Sequence, residues 1–261
     1  MYNYAGKAAL ITGASSGIGE AFARELAERG MHLILVARTE ERLTALADEL
    51  SKRYSIRAEV MVADLSQPEA IAGITAFVRE RGRVIDLLIN NAGFATYGPF
   101  EELDPQRDHQ QVMVNVAAVV DMAHAFLPEM VTRRAGAIIN VASRGAFHPA
   151  AYMAVYAASK AFVLAFSEGL WAEYRRRGIR VVALCPGPVA TRFYDIAGRG
   201  APSLGTKSSP LPVVLAALRA LERGKSYVIP SWSSYLQAQV ATRLFPRAFA
   251  AQMVERMQRP R

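Results

Sequence analysis

The sequence of 261 residues contains a single cysteine, Cys185, and only four histidines. One cysteine cannot form an internal disulfide, and neither residue type shows the paired spacing of a metal site. We therefore expect no metal and a reducing, cytoplasmic compartment, because disulfide-rich chains belong to oxidising ones. The first residues, MYNYAGKAALITG, run into a strand pattern within six residues, which leaves no room for a secretion signal.

Long hydrophobic runs, internal repeats and low-complexity blocks are also absent. The most apolar stretch, 112–127, is interrupted by Asn115, Asp121 and His124, which argues against a membrane span and favours a soluble protein. With 52% hydrophobic residues the chain is long enough to bury one sizeable core. We expect a single domain over residues 1–261.

Acidic residues are too few to balance the basic ones, and the formal net charge is +8. About half of this excess lies in residues 232–261, which contain five arginines and one glutamate. No zinc finger, aromatic platform or basic heptad accompanies the charges, so we expect no nucleic-acid partner. The arginines and apolar residues of this tail are compatible with a peripheral membrane contact, although packing on its own domain is the simpler interpretation.

Short apolar runs alternate regularly with helix-length amphipathic stretches. The runs lie at 8–12, 33–37, 59–63, 86–90, 137–141, 181–185 and 227–229. This alternation predicts right-handed crossovers and therefore an α/β fold, a doubly wound parallel sheet with helices on both faces. Ligands of such sheets bind in the loops that follow the carboxyl ends of the strands.

Two later segments depart from this alternation. Residues 192–212 are rich in Gly, Ser and Pro and predict a lid loop over the ligand, with a disordered surface loop as the alternative. Residues 232–261 predict a helical tail that is broken at Pro246.

A glycine-rich turn follows the first apolar run and leads directly into a helix pattern. Gly13, Gly17 and Gly19 would let the backbone approach a pyrophosphate, whose charge favours the free N–H groups and positive dipole of a helix start. Glycines also simply make turns. The position after the first strand of a βαβ unit is what favours a nucleotide site.

Four motifs occur in an order that is typical of one protein family. They are Thr12 with the Gly-x-x-x-Gly-x-Gly turn, Asn90-Asn91-Ala92-Gly93, Tyr156-Ala157-Ala158-Ser159-Lys160, and Pro186-Gly187 with Thr191. Over roughly residues 5–192 the chain resembles the short-chain dehydrogenase/reductase family. The resemblance implies a Rossmann-like oxidoreductase that interconverts a carbonyl and a secondary alcohol by hydride transfer.

The end of the second apolar run favours NADP(H) as the cofactor. About twenty residues past the glycine turn an NAD enzyme places an Asp or Glu on the ribose 2′-hydroxyl. Here the run ends at Arg38, whose guanidinium can bind a 2′-phosphate and lie against adenine. Ser15 or Ser16 could add a hydroxyl to that phosphate. A surface arginine is the alternative, and an NAD-linked alcohol dehydrogenase is the alternative function.

Tyr156 and Lys160 lie four residues apart on a predicted helix, so both side chains occupy one face. A free tyrosine, with a pKa of about 10, is a poor acid/base at neutral pH, but a neighbouring ammonium lowers that pKa. An isolated pair of this kind is usually an amphipathic surface, so the functional interpretation depends on the surrounding motifs. The resemblance implies that Tyr156 is the acid/base and that Lys160 also bonds the nicotinamide ribose.

The resemblance assigns the remaining site residues. It implies that Ser143 binds the substrate oxygen, that Asn115 holds a proton-relay water near the lysine, and that Asp64 accepts from the adenine amino group. A loop serine, a helix-packing amide and a turn aspartate are the alternatives. The implied catalytic set is Asn115, Ser143, Tyr156 and Lys160. The implied cofactor-binding set is Gly13, Ser15, Ser16, Gly17, Ile18, Gly19, Arg38, Asp64, Leu65, Asn91, Ala92, Gly93, Tyr156, Lys160, Pro186, Gly187, Val189 and Thr191.

Aromatic residues in or beside the same loops favour an apolar ketone or acyl substrate, although they could only seal loops onto the core. They are Phe94, Tyr97, Phe147, Tyr152, Phe193 and Tyr194. By resemblance we expect a homodimer or homotetramer formed through helices at about 106–131 and 153–177. A non-catalytic NADP-binding regulator or scaffold of the same fold is the rival from another class, and the complete catalytic set argues against it.

Overall fold

Seven strands form one sheet, and every neighbouring pair is parallel. The computed structural model describes residues 2–197, 206–232, 235–236 and 246–260. The strands are β1 Ala8–Thr12, β2 His32–Ala37, β3 Ala58–Val62, β4 Leu87–Asn90, β5 Gly136–Val141, β6 Ile179–Leu184 and β7 Tyr227–Val228. Their order in the sheet is β3-β2-β1-β4-β5-β6-β7. The predicted doubly wound parallel sheet is confirmed.

Helices follow the strands and cover both faces of the sheet. Their bounds are α1 Gly17–Glu28, α2 Glu40–Tyr54, α3 Ala70–Glu80, α4 Pro105–Val112, α5 Ala118–Arg133, α6 Ala154–Tyr174, α7 Phe193–Ala197, α8 Pro210–Glu222 and α9 Arg247–Gln258. A π-helical turn, Met113–Ala117, joins α4 to α5, and short 3₁₀ turns lie at Phe100–Glu102, Arg144–Phe147 and Arg175–Arg177.

The inner strands are largely buried on both faces, which is why they appear in the sequence as nearly continuous apolar runs, whereas the edge strands β3 and β7 are only partly buried. Leu10 and Ile11, neighbours in β1, belong to different core clusters because successive strand residues point to opposite faces. The Ile11 cluster includes residues of α1, α2 and α8, whereas the Leu10 cluster includes residues of α3 and α5. The sheet therefore has a packed core on each side.

The helical run 105–133 starts sharply and changes pitch once. Asp104 caps it by accepting a hydrogen bond from the backbone N–H of Gln106 at 2.9 Å, and Pro105 fills the first helical position. By length and apolar composition this run would qualify as a membrane span, but 44% of its most apolar window is buried in the fold. Met122 and Phe126 of α5 belong to the core, as in the central helices of globular domains.

Both irregular segments contain regular structure where they are described. Within the predicted lid 192–212 the chain forms α7, and Ser208 pairs with Val189 in an isolated parallel bridge. Residues 198–205 of the lid and 233–234, 237–245 and 261 of the tail lie outside the described residues. Residues 232, 235 and 236 are helical and Pro246, with φ of −55°, immediately precedes α9, so the tail is helical on both sides of Pro246 where it is described, and the break at Pro246 stays a prediction. A proline is tolerated at a helix start because no N–H is needed there.

Candidate active site

A cleft of about 1000 Å³ opens at the carboxyl ends of the strands. It lies beside β1 and β4, where the strand order reverses, which is the usual ligand position in such sheets. The residues that line it include the whole implied catalytic and cofactor sets except Gly19 and Asn115. Small-molecule sites usually enclose about 300–1,000 Å³, so the cleft is large enough for a nucleotide and a second molecule.

Close packing explains the glycines of the first turn. A Cβ on Gly13 would lie 2.8 Å from Nδ2 of Asn91, and a Cβ on Gly17 would lie 2.8 Å from Cγ2 of Thr191. A Cβ on Gly19 would collide with the carbonyl oxygen of Gly13. Gly13 and Gly17 also have φ of 65° and 62°, which strains any other residue. The glycines thus let the turn pack closely against the loops after β4 and β6, and the turn itself lines the cleft at a position that fits a pyrophosphate.

Two side chains fix this turn against the loop that follows β4. Thr12 Oγ1 accepts hydrogen bonds from the backbone N–H groups of Asn91 and Ala92, both at 3.0 Å. The amide Nδ2 of Asn91 donates to the carbonyls of Thr12 at 2.9 Å and Gly13 at 3.2 Å. Asn91 therefore shapes the cleft by holding two loops together, a role that the sequence does not indicate.

The start of α1 supplies free donors to the same end of the cleft. Helix α1 begins at Gly17, and the first N–H groups of a helix have no intrahelical partner. Ser16, at the N-cap, makes no side-chain capping bond, so its hydroxyl is not used to satisfy the helix. Ser15 and Ser16 both line the cleft. This end of the cleft has the chemistry of an anion site.

Arg38 and Asp64 follow β2 and β3 at the end of the cleft that contains the glycine turn, called the nucleotide end below. The Arg38 side chain is 62% exposed, and its Nη1 lies 3.9 Å from Oδ2 of Asp64, a long and solvated ion pair of little strength. Asp64 Oδ1 accepts from the backbone N–H of Ser66 at 3.0 Å and from its hydroxyl at 2.8 Å. The turn role of Asp64 is therefore present, and Leu65 beside it also lines the cleft.

Ser143 and Tyr156 are neighbours on one wall of the cleft. A Cβ built on Gly145 would lie 3.4 Å from Oγ of Ser143 and 4.0 Å from Cε1 of Tyr156, so the hydroxyl and the phenol ring flank the same point. Ser143 Oγ accepts from the backbone N–H of Gly145 at 3.0 Å, which orients it. The Tyr156 ring packs against Phe193 with centroids 5.3 Å apart.

Lys160 lies behind Tyr156 and is 5% exposed. Its Nζ is 5.9 Å from the centroid of the Tyr156 ring and donates a hydrogen bond to the carbonyl of Val141 at 2.8 Å. Burial disfavours the ammonium and lowers the pKa of Lys160 to about 8. One helical turn therefore brings the phenol and a buried amine together, as the spacing predicts.

Asn115 lies in the π-helical turn and is completely buried. Its Oδ1 accepts from the backbone N–H of Phe94 at 3.2 Å, and its Nδ2 donates to the Phe94 carbonyl at 3.0 Å and to Ser159 Oγ at 3.1 Å. A Cβ on Gly93 would lie 2.9 Å from Asn115 Oδ1 and 3.2 Å from Lys160 Nζ. The amide thus joins the β4 loop to α6, and its role with a water stays a prediction.

The loop after β6 forms a wall that is tied down at several points. The carbonyl of Pro186 accepts from the backbone N–H of Arg144 at 2.8 Å, and the carbonyl of Pro188 accepts from that of Ser208 at 3.0 Å. Thr191 Oγ1 accepts from the backbone N–H of Phe193 at 3.3 Å and so begins α7. Pro186, Gly187, Val189 and Thr191 all line the cleft, and their contact with the cofactor stays a prediction.

The end of the cleft away from the glycine turn is apolar, and the C-terminal helix supplies much of it. Phe249, Met253 and Met257, spaced four residues apart on α9, line the cleft together with Phe193. These three α9 side chains are 46–50% exposed, so they form an apolar surface that a ligand would cover. Sequence reasoning missed this contribution, although the four-residue apolar spacing could have indicated it.

The predicted aromatic residues have three different roles. Phe94 and Phe193 line the cleft, whereas Phe147 packs against Tyr227 with ring centroids 5.9 Å apart. Tyr97 donates to the carbonyl of Gln258 at 2.7 Å and Tyr152 donates to Glu255 Oε1 at 3.2 Å, so both anchor α9. The side chain of Tyr194 is outside those described.

Several polar residues that the motifs do not include also line the cleft, among them Arg107, Gln110, Arg144 and His148. The guanidinium carbon of Arg107 lies 4.1 Å from the centre of the Phe94 ring. Burial lowers the pKa of His148 and so favours its neutral form. No signal in the sequence distinguishes these residues from surface residues of loops and of α4.

His32 and Cys185, by contrast, do not line the cleft. His32 Nδ1 accepts from the backbone N–H of Arg57 at 3.1 Å, and Cys185 is buried in an apolar cluster. Burial raises the pKa of the Cys185 thiol, which suits a small buried hydrophobe better than a reactive thiol. Within the described ranges, no group of three or more His, Cys, Asp or Glu side chains could hold a metal ion.

Comparison with known proteins gives the same family that the motifs suggest. The family model described as short chain dehydrogenase matches residues 7–198. Hydroxysteroid dehydrogenase-like protein 1 of Gallus gallus is 40% identical over 191 residues, 72% of this chain and 57% of that protein. Very-long-chain 3-oxoacyl-CoA reductase of Bos taurus is 31% identical over 247 residues, 92% of this chain and 77% of that protein.

A third relative carries a different label. Inactive hydroxysteroid dehydrogenase-like protein 1 of Homo sapiens is 37% identical over 190 residues, 71% of this chain and 57% of that protein. The chain thus spans less than two thirds of the length of several relatives. Among solved structures, a short-chain dehydrogenase from Sphingobium yanoikuyae in complex with NADPH superposes with a TM-score of 0.82 at 36% identity, covering 91% of this chain and 93% of that one.

Proposed function

This chain belongs to the short-chain dehydrogenase/reductase family of oxidoreductases, and we propose that it interconverts a carbonyl compound and a secondary alcohol with NADP(H). One observation carries the proposal. Tyr156, Lys160 and Ser143 line the same cleft as a glycine turn and a helix start that can receive a pyrophosphate. An acid/base and an anion site in one cleft are what hydride chemistry on a carbonyl requires.

NADP(H) fits the residues at the nucleotide end. Gly13 and Gly17 line the cleft at the start of α1, the hydroxyl of Ser16 makes no capping bond, and Arg38 occupies the position at which an NAD enzyme has an acid. The Sphingobium yanoikuyae structure, at 36% identity, contains NADPH. When bound, this cofactor would supply the hydride in reduction or accept it in oxidation.

The chain's own residues handle the oxygen and the proton. In reduction the hydroxyls of Ser143 and Tyr156 donate hydrogen bonds to the carbonyl oxygen, which stabilises the negative charge that develops there. Tyr156 then gives its proton to that oxygen. The Lys160 ammonium, 5.9 Å from the ring centroid, favours the phenolate that remains. Oxidation follows the same path in reverse.

Substrates with a large apolar body fit the other end of the cleft. Phe94, Phe193 and the half-exposed side chains of α9 form a wall that would be covered by such a body. The bovine relative, 31% identical, is named for very-long-chain 3-oxoacyl-CoA reduction. We propose apolar ketones or acyl compounds as the substrate class.

The test is NADPH consumption against a panel of aldehydes, ketones and acyl thioesters, repeated with Tyr156→Phe. We expect turnover of apolar ketones or thioesters and a loss of kcat of about 10²–10⁴-fold in the variant, because a positioned acid/base contributes that much. The dissociation constant of NADPH should change less than about twofold. Tyr174→Phe, at the far end of α6, is the matched control and should keep wild-type rates. A Tyr156→Phe enzyme with normal kcat would refute the mechanism.

A non-catalytic NADP-binding regulator is the second candidate, because the human relative is labelled inactive. Its signature would be NADPH binding by calorimetry without turnover of any compound in the panel. The presence of Ser143, Tyr156 and Lys160 on one cleft favours the enzyme. We also propose a cytoplasmic homo-oligomer, with α4–α6 at the contact between copies.

A further inference from the structure

Arg107 is an arginine in the wall of the cleft for which the reaction described above has no use. It lies on α4, which packs against α6, the helix of Tyr156 and Lys160. Within the described part of the chain no carboxylate approaches Arg107 within ion-pair distance. The neighbouring Asp108 is buried and accepts a hydrogen bond from the hydroxyl of Thr96 at 2.6 Å. The positive charge of Arg107 is therefore not neutralised by the fold.

Two contacts hold the Arg107 guanidinium in place. Its carbon lies 4.1 Å from the centre of the Phe94 ring, a stacking distance, and its Nη1 donates to Oε1 of Gln110 at 3.4 Å. Phe94 is itself fixed, because Asn115 bonds both its N–H and its carbonyl. A stacked arginine loses less freedom on forming further hydrogen bonds, so the fork is prepared to receive an oxyanion.

The charges along the cleft show where this oxyanion would come from. The described lining residues include four arginines and one lysine but a single carboxylate, Asp64. Arg38 and Asp64 belong to the nucleotide end, and Lys160 lies behind the phenol. Arg107 lies instead beside Phe94, one residue past the Gly93 that faces Lys160. An anion bound there would belong to the second molecule in the cleft.

We propose that Arg107 binds an oxyanion, a carboxylate or phosphate, carried by the substrate, so that the preferred carbonyl compounds are apolar molecules with one such group. That the molecule carrying the oxyanion is the substrate rests on the proposed function, whereas binding of the oxyanion at Arg107 does not depend on turnover. An apolar substrate body that covers the anion beside Phe94 would exclude water and so strengthen the charge-assisted hydrogen bonds of that anion.

The experiment uses three ketones with the same apolar body, one ending in a carboxylate, one in a phosphate ester and one in a neutral methyl amide. Dissociation constants are measured by calorimetry on the full chain loaded with NADP⁺, which cannot reduce a ketone. KM and kcat are then measured with NADPH. The variants are Arg107→Gln and the control Arg53→Gln. Arg53 also lies over an aromatic ring, that of Tyr54 at 5.2 Å, but does not line the cleft.

We expect the wild type to bind at least one anionic ketone about tenfold or more tightly than the amide. Arg107→Gln should remove that preference by raising the dissociation constant and KM of the anionic ketone, with kcat and the affinity for NADPH nearly unchanged. Arg53→Gln should keep the preference. The carboxylate and phosphate arms tell which oxyanion is favoured.

Three results would overturn the inference. Equal losses for all three ketones in Arg107→Gln would mean that the arginine only supports Phe94. A weakened affinity of Arg107→Gln for NADPH would mean that the guanidinium binds the nucleotide instead of the substrate. If the wild type bound no anionic ketone, Arg107 would not be an oxyanion site for substrates. Arg107-dependent binding without turnover would instead keep the inference and refute the proposed function, so the two failures can be told apart.

Discussion

Among single residues, Arg38 is the one that we expect to decide between NADP(H) and NAD(H). Its only ion pair among the described residues is with Asp64 at 3.9 Å, and 62% of the side chain is exposed. Such a pair contributes little, so the guanidinium is free to turn to a 2′-phosphate. We expect Arg38→Asp to weaken NADPH binding by about 10²-fold or more, because a charge-assisted contact is replaced by repulsion, and to leave NADH nearly unaffected.

Fluorescence titration with both nucleotides measures this. Arg42→Asp is the matched control, because Arg42 is an exposed arginine at the start of α2 that does not line the cleft. It makes the same change of charge close by and should alter neither affinity much. Parallel losses for NADPH and NADH in Arg38→Asp would contradict a 2′-phosphate contact.

Lys160 makes the stability of the protein without nucleotide depend on alkaline pH. Burial lowers its pKa from 10.5 to about 8, so between these values the unfolded chain holds a proton that the folded chain has released. The free energy of unfolding should therefore rise with pH across this window, by at most about 1.4 kcal/mol per pH unit for one proton. Below pH 8 both states are protonated and the cost of the buried ammonium is constant.

The measurement is urea unfolding between pH 7 and pH 10 for the wild type and Lys160→Met. Subtracting the variant removes the titration of all other groups, so the difference isolates the lysine. We expect that difference to be flat below about pH 8 and then to change in favour of the wild type. A difference that falls with rising pH would mean that the ammonium is stabilised in the folded protein.

Residue spacing predicts side chains that share a helix face but not those that depend on a change of pitch. Tyr156 and Lys160 are four apart on a regular helix, so their common face follows from 3.6 residues per turn. Asn115 lies in a π-helical turn, which the apolar sequence around it does not reveal. Its bonds to the Phe94 backbone and to Ser159 could be found only in three dimensions.

At the scale of the element, α9 decides the shape of the substrate end of the cleft. Val254 is buried in a cluster with Ala95, Met153 and Ala157, and Tyr97 bonds the last turn of the helix. We expect removal of residues 246–261 to raise KM for bulky apolar ketones about tenfold or more, because their apolar wall is lost. The affinity for NADPH should stay within about twofold, since none of the hydrogen bonds, ion pairs or close contacts described for the glycine turn and Arg38 involves α9.

Steady-state kinetics with a bulky and a small ketone measures this effect. A larger rise in the KM of the small ketone than in that of the bulky ketone would contradict the assignment, as would a large loss of NADPH affinity. Tyr97→Phe is a milder variant for the case in which the truncated chain unfolds. It removes one 2.7 Å bond to α9 and should shift KM in the same direction by a smaller factor.

The sequence predicts the positions of the strands well, because the inner strands are buried on both faces and most of their residues are apolar. The tail is different, because a proline is compatible both with a helix break and with a helix start, and Pro246 lies immediately before α9. The lid segment likewise gives no sign that Ser208 would bond to the Pro188 loop.

At the scale of the whole molecule, the alternation of strands and helices was sufficient to predict the sheet and the end at which ligands bind. Chirality and the short connections leave few other topologies. The contribution of the C-terminal helix to the cleft was not predictable in this way, because it joins residues more than a hundred positions apart, such as Tyr152 and Glu255. Contacts of that kind depend on the completed fold.

Assembly of copies also depends on the whole fold, since apolar side chains of α4 and α6 remain exposed on its surface. Phe162 is 40% exposed and stacks on Phe166, with ring centroids 5.8 Å apart, and Val112 of α4 is 41% exposed. Between the two helices lies a hollow of about 400 Å³ lined by Val112, Val155 and Phe100. An exposed apolar surface of this kind favours a contact between copies, for which a twofold arrangement is the most common.

We therefore expect the wild type to be a dimer or tetramer and Phe162→Glu to shift the mass towards the monomer, raising the dissociation constant about tenfold or more. A carboxylate on each copy would be buried without a partner, which is costly. Light scattering at several concentrations measures the mass. Val84→Glu changes another exposed apolar residue, just before β4, and should leave the assembly intact. A monomeric wild type would exclude a contact through α4 and α6. Equal effects of the two variants would exclude it as well, because the new charge would then act regardless of its position.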